Sequence, residues 1–95
     1  MQLSHDIPKE EISVAAYYVW EKQMSYETLC WFLAERQLFV MRNFTKPPRE
    51  MIQQRAQQIY EKSPDYDFIC WLIGELNLFI QKKTQKADVD TLFSE

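Results

Sequence analysis

Two carboxylates and two thiols recur in this chain at a fixed offset. Glu35 and Glu75 are 40 residues apart, and so are Cys30 and Cys70. Two carboxylates brought together near a symmetry axis could do general acid–base chemistry. That chemistry needs a companion group: an imidazole, a nucleophile with its base, or a glycine-rich cradle for an anion. The one histidine, His5, lies outside both recurring stretches, and the one glycine is Gly74. Each Glu is therefore expected to bond a Trp indole or a helix terminus, or to pair with Lys or Arg. No catalytic residue and no cofactor are expected. Two thiols and one remote imidazole make a poor ligand set, and the Cys-x-x-Cys spacing of a zinc site is absent, so no metal is expected either. Cys30 and Cys70 read as small hydrophobes buried at equivalent places. Two cysteines are too few for a disulfide framework in so short a chain.

Nucleic-acid chemistry is the next class to weigh, because a helical hairpin can imitate a helix-turn-helix. The second helix would then present polar or basic residues at its N-terminal end. Here those ends are Tyr26-Glu27-Thr28-Leu29 and Tyr66-Asp67-Phe68-Ile69, acidic and apolar. Lys46, Arg49, Arg55, Lys82, Lys83 and Lys86 make the second half slightly basic, but the net charge is −3 and the pI about 5.2. A solvated charge face explains these residues. A small nucleic-acid-associated regulator is kept as the alternative function, with the charge balance against it.

The elements that hold these residues follow from composition and spacing. The chain has 95 residues, of which 46% are hydrophobic and 15% aromatic, enough for one small core. A single glycine argues against a sheet, whose hairpin turns need several. No run reaches the roughly 18 apolar residues of a membrane span. The first six residues show no basic-plus-apolar leader pattern, so a soluble cytoplasmic chain is expected. Residues 1–7 read as a loose entry, with His5 on the surface and Asp6 at the start of the first helix. Helices are expected over residues 8–22, 26–43, 48–62 and 66–83. Breaks fall at Met24-Ser25, at Thr45-Lys46-Pro47-Pro48 and at Ser63-Pro64-Asp65. Ser25 and Asp65 are expected to cap the second and fourth helices.

These elements form a repeat. Between residues 8–40 and 48–80, 12 of 33 ungapped pairs are identical, among them Ile12, Ala16, Tyr26, Cys30, Trp31, Glu35, Leu38 and Phe39 with their counterparts. The expected architecture is all-α: two tandem helical hairpins, residues 8–44 and 45–83, offset by 40 and packed about a pseudo-two-fold axis as one four-helix bundle-like domain. Residues 84–95 read as a flexible tail with one short turn at most.

Ala16-Tyr17-Tyr18-Val19-Trp20-Glu21 followed by Trp31-Phe32-Leu33-Ala34-Glu35 resembles a short bacterial domain of unknown function. Its pattern is Ala-Tyr-x-x-Trp-Glu, a loop, then Trp-x-x-Ala-Glu. The likeness covers roughly the first 40 residues. In the second copy Gln57, Tyr60 and Gly74 stand for Tyr17, Trp20 and Ala34. The resemblance implies a helical hairpin, here in tandem, and no particular activity.

On a helical wheel, Tyr26, Leu29, Cys30, Leu33 and Val40 form the core stripe of the second helix. Trp31 and Leu38 lie to one side of it, Phe32 and Phe39 to the other. A helix apolar nearly all round is a buried one, so the second and fourth helices should be central. Their excess apolar stripes point to a self-association or partner surface. The outer helices differ. The third shows Gln53, Gln54, Gln57 and Gln58 where the first has Ser13, Val14, Tyr17 and Tyr18. Val14, Tyr17 and Tyr18, then Phe32 and Phe39, are the interface candidates. They either meet another molecule or pack under the N-terminal segment or the tail. Leu92 and Phe93 are candidates for a short motif entering another protein's groove. The expected function is that of a non-enzymatic protein–protein interaction module, a homodimer or a small subunit of a bacterial assembly.

Overall fold

The structure is a computed structural model that describes residues 7–86 and 88–93. His5 and Asp6 lie outside the described residues. Four α-helices follow in order: α1 (Lys9–Glu21), α2 (Tyr26–Met41), α3 (Arg49–Lys62) and α4 (Tyr66–Thr84). A 3₁₀ turn, Val89–Leu92, comes last. No strand occurs among the described residues.

Each start has a local cause. Pro8 and Pro48 are extended residues whose carbonyls accept the first turns of α1 and α3, from Glu11 and Ile12 and from Met51 and Ile52. Ser25 caps α2 through its side chain, which accepts from the Thr28 amide at 3.1 Å. Asp65 holds the equivalent place before α4 but makes no side-chain cap bond there. The helices end without glycine. Gln23, Ser63 and Gln85 take left-handed backbone, with φ of 52°, 52° and 59°. So do Asn43 and Phe44 between α2 and α3, which turn the chain before Pro47 and Pro48.

The helix pairing departs from two self-packed hairpins. Helix α1 lies against α4, α3 lies against α2, and α2 meets α4 at the centre. The two helices of one repeat are not a close-packed pair. Each outer helix covers the central helix of the other repeat. Packing each outer helix on the central helix of the other repeat buries both apolar faces at once. Two reciprocal bonds tie the exchange together. Tyr26 donates its hydroxyl to the Pro64 carbonyl at 2.5 Å, and Tyr66 donates to the Met24 carbonyl at 2.6 Å. Each tyrosine opens a central helix and clasps the interhelix turn of the other repeat. Burial raises the pKa of both phenols.

The core runs along the central helices. Leu29, Cys30, Leu33 and Ala34 of α2 meet Ile69, Cys70, Ile73 and Leu76 of α4, with Val19, Ile52 and Ile59 closing it from outside. Phe39, Ile80 and Val89 form a second, smaller cluster at one end. The 84–95 segment, read as a tail, reaches this cluster through Val89, Leu92 and Phe93. Ile7, placed in the loose entry by its sequence position, is buried, as is its counterpart Pro47.

Candidate interaction surface

Helix α1 is set close on α4 at Gly74. A Cβ added there would stand 2.7 Å from the Ala16 nitrogen and 3.1 Å from the Ala15 carbonyl carbon, so the two backbones are nearly touching. This is the one glycine of the chain, and close approach is what requires it. With Ile12 and Val19 turned inward and Ala15 and Ala16 against α4, the remaining face of α1 is left to solvent. Val14 is 55% exposed, Tyr17 53%, Tyr18 59% and Trp20 43%. Tyr17 stacks on Trp20 at 6.0 Å between ring centroids and meets Tyr18 edge-on at 5.9 Å. The Glu21 carboxylate beside the Tyr17 hydroxyl raises its pKa.

Grooves flank the outer helices in matched positions. One of about 430 Å³ is lined by Ser13, Ala16, Tyr17, Trp20, Asp67, Cys70 and Trp71. A second, of about 390 Å³, is lined by Gln53, Ala56, Gln57, Tyr60, Glu27, Cys30 and Trp31. All seven positions correspond under the shift of 40, so the pseudo-two-fold produces one groove per half. The chemistry of the walls differs. Beside the second groove Arg49 lies over the Trp31 ring, 5.3 Å from its centroid. A third groove, of about 490 Å³, opens on the other side of α1 between Val14, Ala15, Tyr18 and Leu78, under Glu10 and Glu11. Its counterpart on α3 is crossed by Arg55, which donates to Gln37 Oε1 at 2.9 Å and to Gln58 Oε1 at 3.2 Å. Leu38 is buried there, whereas Leu78 is half-exposed.

The remaining candidates are placed as follows. Phe39 is 4% exposed, between Phe44 and Phe93, and so belongs to the interior rather than to a contact surface. Phe32 is half-buried beneath the Arg36 guanidinium, 4.9 Å from its ring centroid. Leu92 and Phe93 dock on their own chain. Cys30 and Cys70 are buried free thiols, with pKa raised by burial, the condition of an inert cysteine. The groups whose charges act on Glu35 are Arg36, Asp90 and Lys46, and Glu75 is not among them. The Glu35 carboxylate lies 3.3 Å from Arg36 Nη1, and burial raises its pKa against the pull of that cation and of the Trp31 indole. No group of three or more His, Cys, Asp or Glu suited to a metal occurs among the described residues. No helix among them is long and apolar enough to cross a membrane.

Sequence reasoning passed over Arg36, which is 1% exposed and the largest fully buried side chain. The signal was present: Arg36 falls seven residues after Leu29, on the core stripe, and its counterpart is Leu76. Trp20 was likewise passed over as an exposed ring adjoining Tyr17. Comparison with protein-family models, with curated proteins and with solved structures finds no match to this chain.

Proposed function

We propose that this chain is a non-enzymatic protein–protein interaction module that self-associates, or serves as a small subunit of a bacterial assembly, through the exposed face of α1. The supporting observation is a mismatch between burial and chemistry. From residue 11 to 20 and from 51 to 60 the two outer helices are buried and exposed at the same positions. On α3 the exposed places 54, 57 and 58 hold glutamine, and on α1 the exposed places 14, 17 and 18 hold valine and two tyrosines. The fold therefore does not need apolar residues there. Together with Trp20 they offer on the order of 400 Å² of largely aromatic surface, at about 150–250 Å² for a whole aromatic side chain. That matches the apolar centre of a contact of about 800 Å² per partner, the standard size. Glu10, Glu11 and Glu21 form a polar rim around it.

Light scattering on the purified chain tests the self-associating form, which gives twice the 11.5 kDa monomer mass. Tyr17→Gln with Tyr18→Gln, copying α3, returns the mass to that of a monomer without loss of helicity. A wild-type chain that stays monomeric at high concentration removes self-association and leaves the subunit form. That form is tested by recovery of a stoichiometric partner from the native host that the double variant does not retain.

A further inference from the structure

A second contact system lies where residues 88–93 meet α2. Arg36 is fully buried, and its guanidinium is held from three directions by the helices themselves. Nε donates to Asn77 Oδ1 at 2.6 Å, and Nη1 donates to the Phe32 carbonyl and to Glu35 Oε1, each at 3.3 Å. Only Nη2 turns toward the C-terminal segment, where it donates to Asp90 Oδ1 at 2.5 Å. The guanidinium lies between two rings, 4.9 Å from the Phe32 centroid and 5.1 Å from that of Phe93. Phe93 also meets Phe39 edge-on at 5.3 Å.

The two sides of this contact are unequal. The side on α2 and α4 is built without the segment: the helices orient Arg36 and supply the apolar floor of Phe32, Phe39 and Ile80. The segment's side is shallow. The Asp90 side chain is 51% exposed and also lies 3.7 Å from Lys22 Nζ, and Leu92 and Phe93 are half-buried. Val89 is its one buried anchor. A buried guanidinium with one edge turned outward needs an acceptor there, and a carboxylate adds to the compensation that Glu35 gives from the helix side. The adjoining floor requires an aromatic ring. The spacing that meets both needs is a carboxylate followed three residues later by a ring, as in Asp90 and Phe93.

We propose that this end of α2 is a receptor for an acidic–aromatic peptide segment, held in cis by the chain's own Asp90–Phe93 and filled in trans by the same segment of a second copy. The site shares no residue with the α1 face and does not depend on the reading of that face. The segment proposed from sequence as a motif for another protein's groove thus has its groove on this chain. Tethering close to α4 gives the cis segment a millimolar effective concentration, so it excludes a free competitor until it is weakened.

The test is a titration of a labelled synthetic peptide of residues 85–95, followed by fluorescence anisotropy, against two full-length chains. One is wild type. The other carries Asp90→Asn with Phe93→Ala, which weakens the cis segment and leaves the receptor intact. The expected result is saturable binding to the double variant and binding at least about tenfold weaker to the wild-type chain, whose own segment competes. A peptide carrying the same two substitutions binds neither. Absence of binding to a double variant of undiminished helicity overturns the proposal, as does equal binding of the substituted peptide. Should the double variant lose helicity, Phe93→Ala alone takes its place. Tighter binding than to wild type then supports the proposal, and no difference from wild type overturns it.

Discussion

The two halves of this molecule share a backbone and part company at a few side chains. Helices α1 and α3 occupy equivalent places and bury equivalent residues, Ile12 and Val19 in one, Ile52 and Ile59 in the other. What they show to solvent differs. Helix α3 is dressed as a solvated surface: glutamines along it, Arg55 across one groove and Arg49 over the Trp31 ring. Helix α1 is bare of such cover, with Ala15 where Arg55 stands and Tyr17 and Tyr18 where two glutamines stand. Positions that agree between copies report what the fold demands. Positions exposed in both that differ in polarity report a demand from outside the fold. By that criterion the α1 face is the surface we propose for contact, and the α3 face is its solvated control.

The interior is unequal in one place as well. Arg36 occupies a core position that in the second half is Leu76. A buried cation needs partners, and it finds Asn77, Glu35 and Asp90. This one exchange of Leu for Arg gives the first half a polar socket at its end and gives the C-terminal segment a place to dock. In the second half Leu76 is part of the main core instead.

The comparison is most sharply broken at Gly74, whose counterpart is Ala34. In Gly74→Ala the new Cβ meets α1 backbone that cannot rotate away. The variant should lose about 2 kcal/mol in urea unfolding: an overpacking cost of about 3 kcal/mol, the upper end of the usual range because the clash is with backbone, acts against the roughly 1 kcal/mol that Ala ordinarily gains over Gly in a helix. If it were instead stabilised, α1 would not be the more tightly seated outer helix. Next in size are Tyr26→Phe and Tyr66→Phe. Each leaves a turn carbonyl without its donor and should cost about 1 kcal/mol. The two losses should agree within a few tenths, because the clasps are equivalent, and unequal losses would show that the halves are not held alike.

Glu35 gives a comparison read through pH. Its folded-state pKa is raised above the ordinary value of 4.5, mainly by burial. The folded state thus favours the protonated carboxyl. That contribution is complete below the unfolded value and is lost as pH rises through the folded value. Stability of the wild-type chain relative to Glu35→Gln should therefore fall as pH rises from about 4.5, and the variant's own profile should be flatter across that window. A difference curve that rises instead would mean that Arg36 outweighs burial at this carboxyl.

Much of the fold could be read from the sequence because the repeat is ungapped and the punctuation is proline-rich. Pro8, Pro48 and Ser25 mark helix starts within a residue, and the central place of α2 and α4 follows from their all-round apolarity. The exchange of partners was not legible. Hairpins packed within or across repeats bury the same stripes, and the clasps from Tyr26 and Tyr66 across the repeats tell them apart. At the surface, the aromatic difference between Tyr17 and Gln57 was visible as a difference of types. The burial of Phe39 was not, because it depends on Phe93, distant in sequence. Arg36 was passed over because a charged type is not ordinarily looked for in a core. Its place on the core stripe was better evidence than its type.

The smallest expected effect concerns the turns after α1 and α3. Gln23 and Ser63 are counterparts, both left-handed at φ 52°, and each side chain returns to a carbonyl of the helix it ends. Gln23 Nε2 donates to the Trp20 carbonyl at 3.0 Å, and Ser63 Oγ donates to the Tyr60 carbonyl at 3.3 Å. A side chain in the left-handed region costs roughly 1–2 kcal/mol, and glycine avoids that cost. Glycine also adds roughly 0.5–1 kcal/mol of unfolded-chain entropy and gives up the side-chain bond. The net gain for Ser63→Gly should be about 0.5 kcal/mol, seen as a small rise in the urea midpoint. For Gln23→Gly it should be less, because the bond surrendered is the shorter of the two. Since backbone and position are the same, any larger gap between these variants measures how far the aromatic face of α1, which begins three residues earlier at Trp20, strains the turn that follows it.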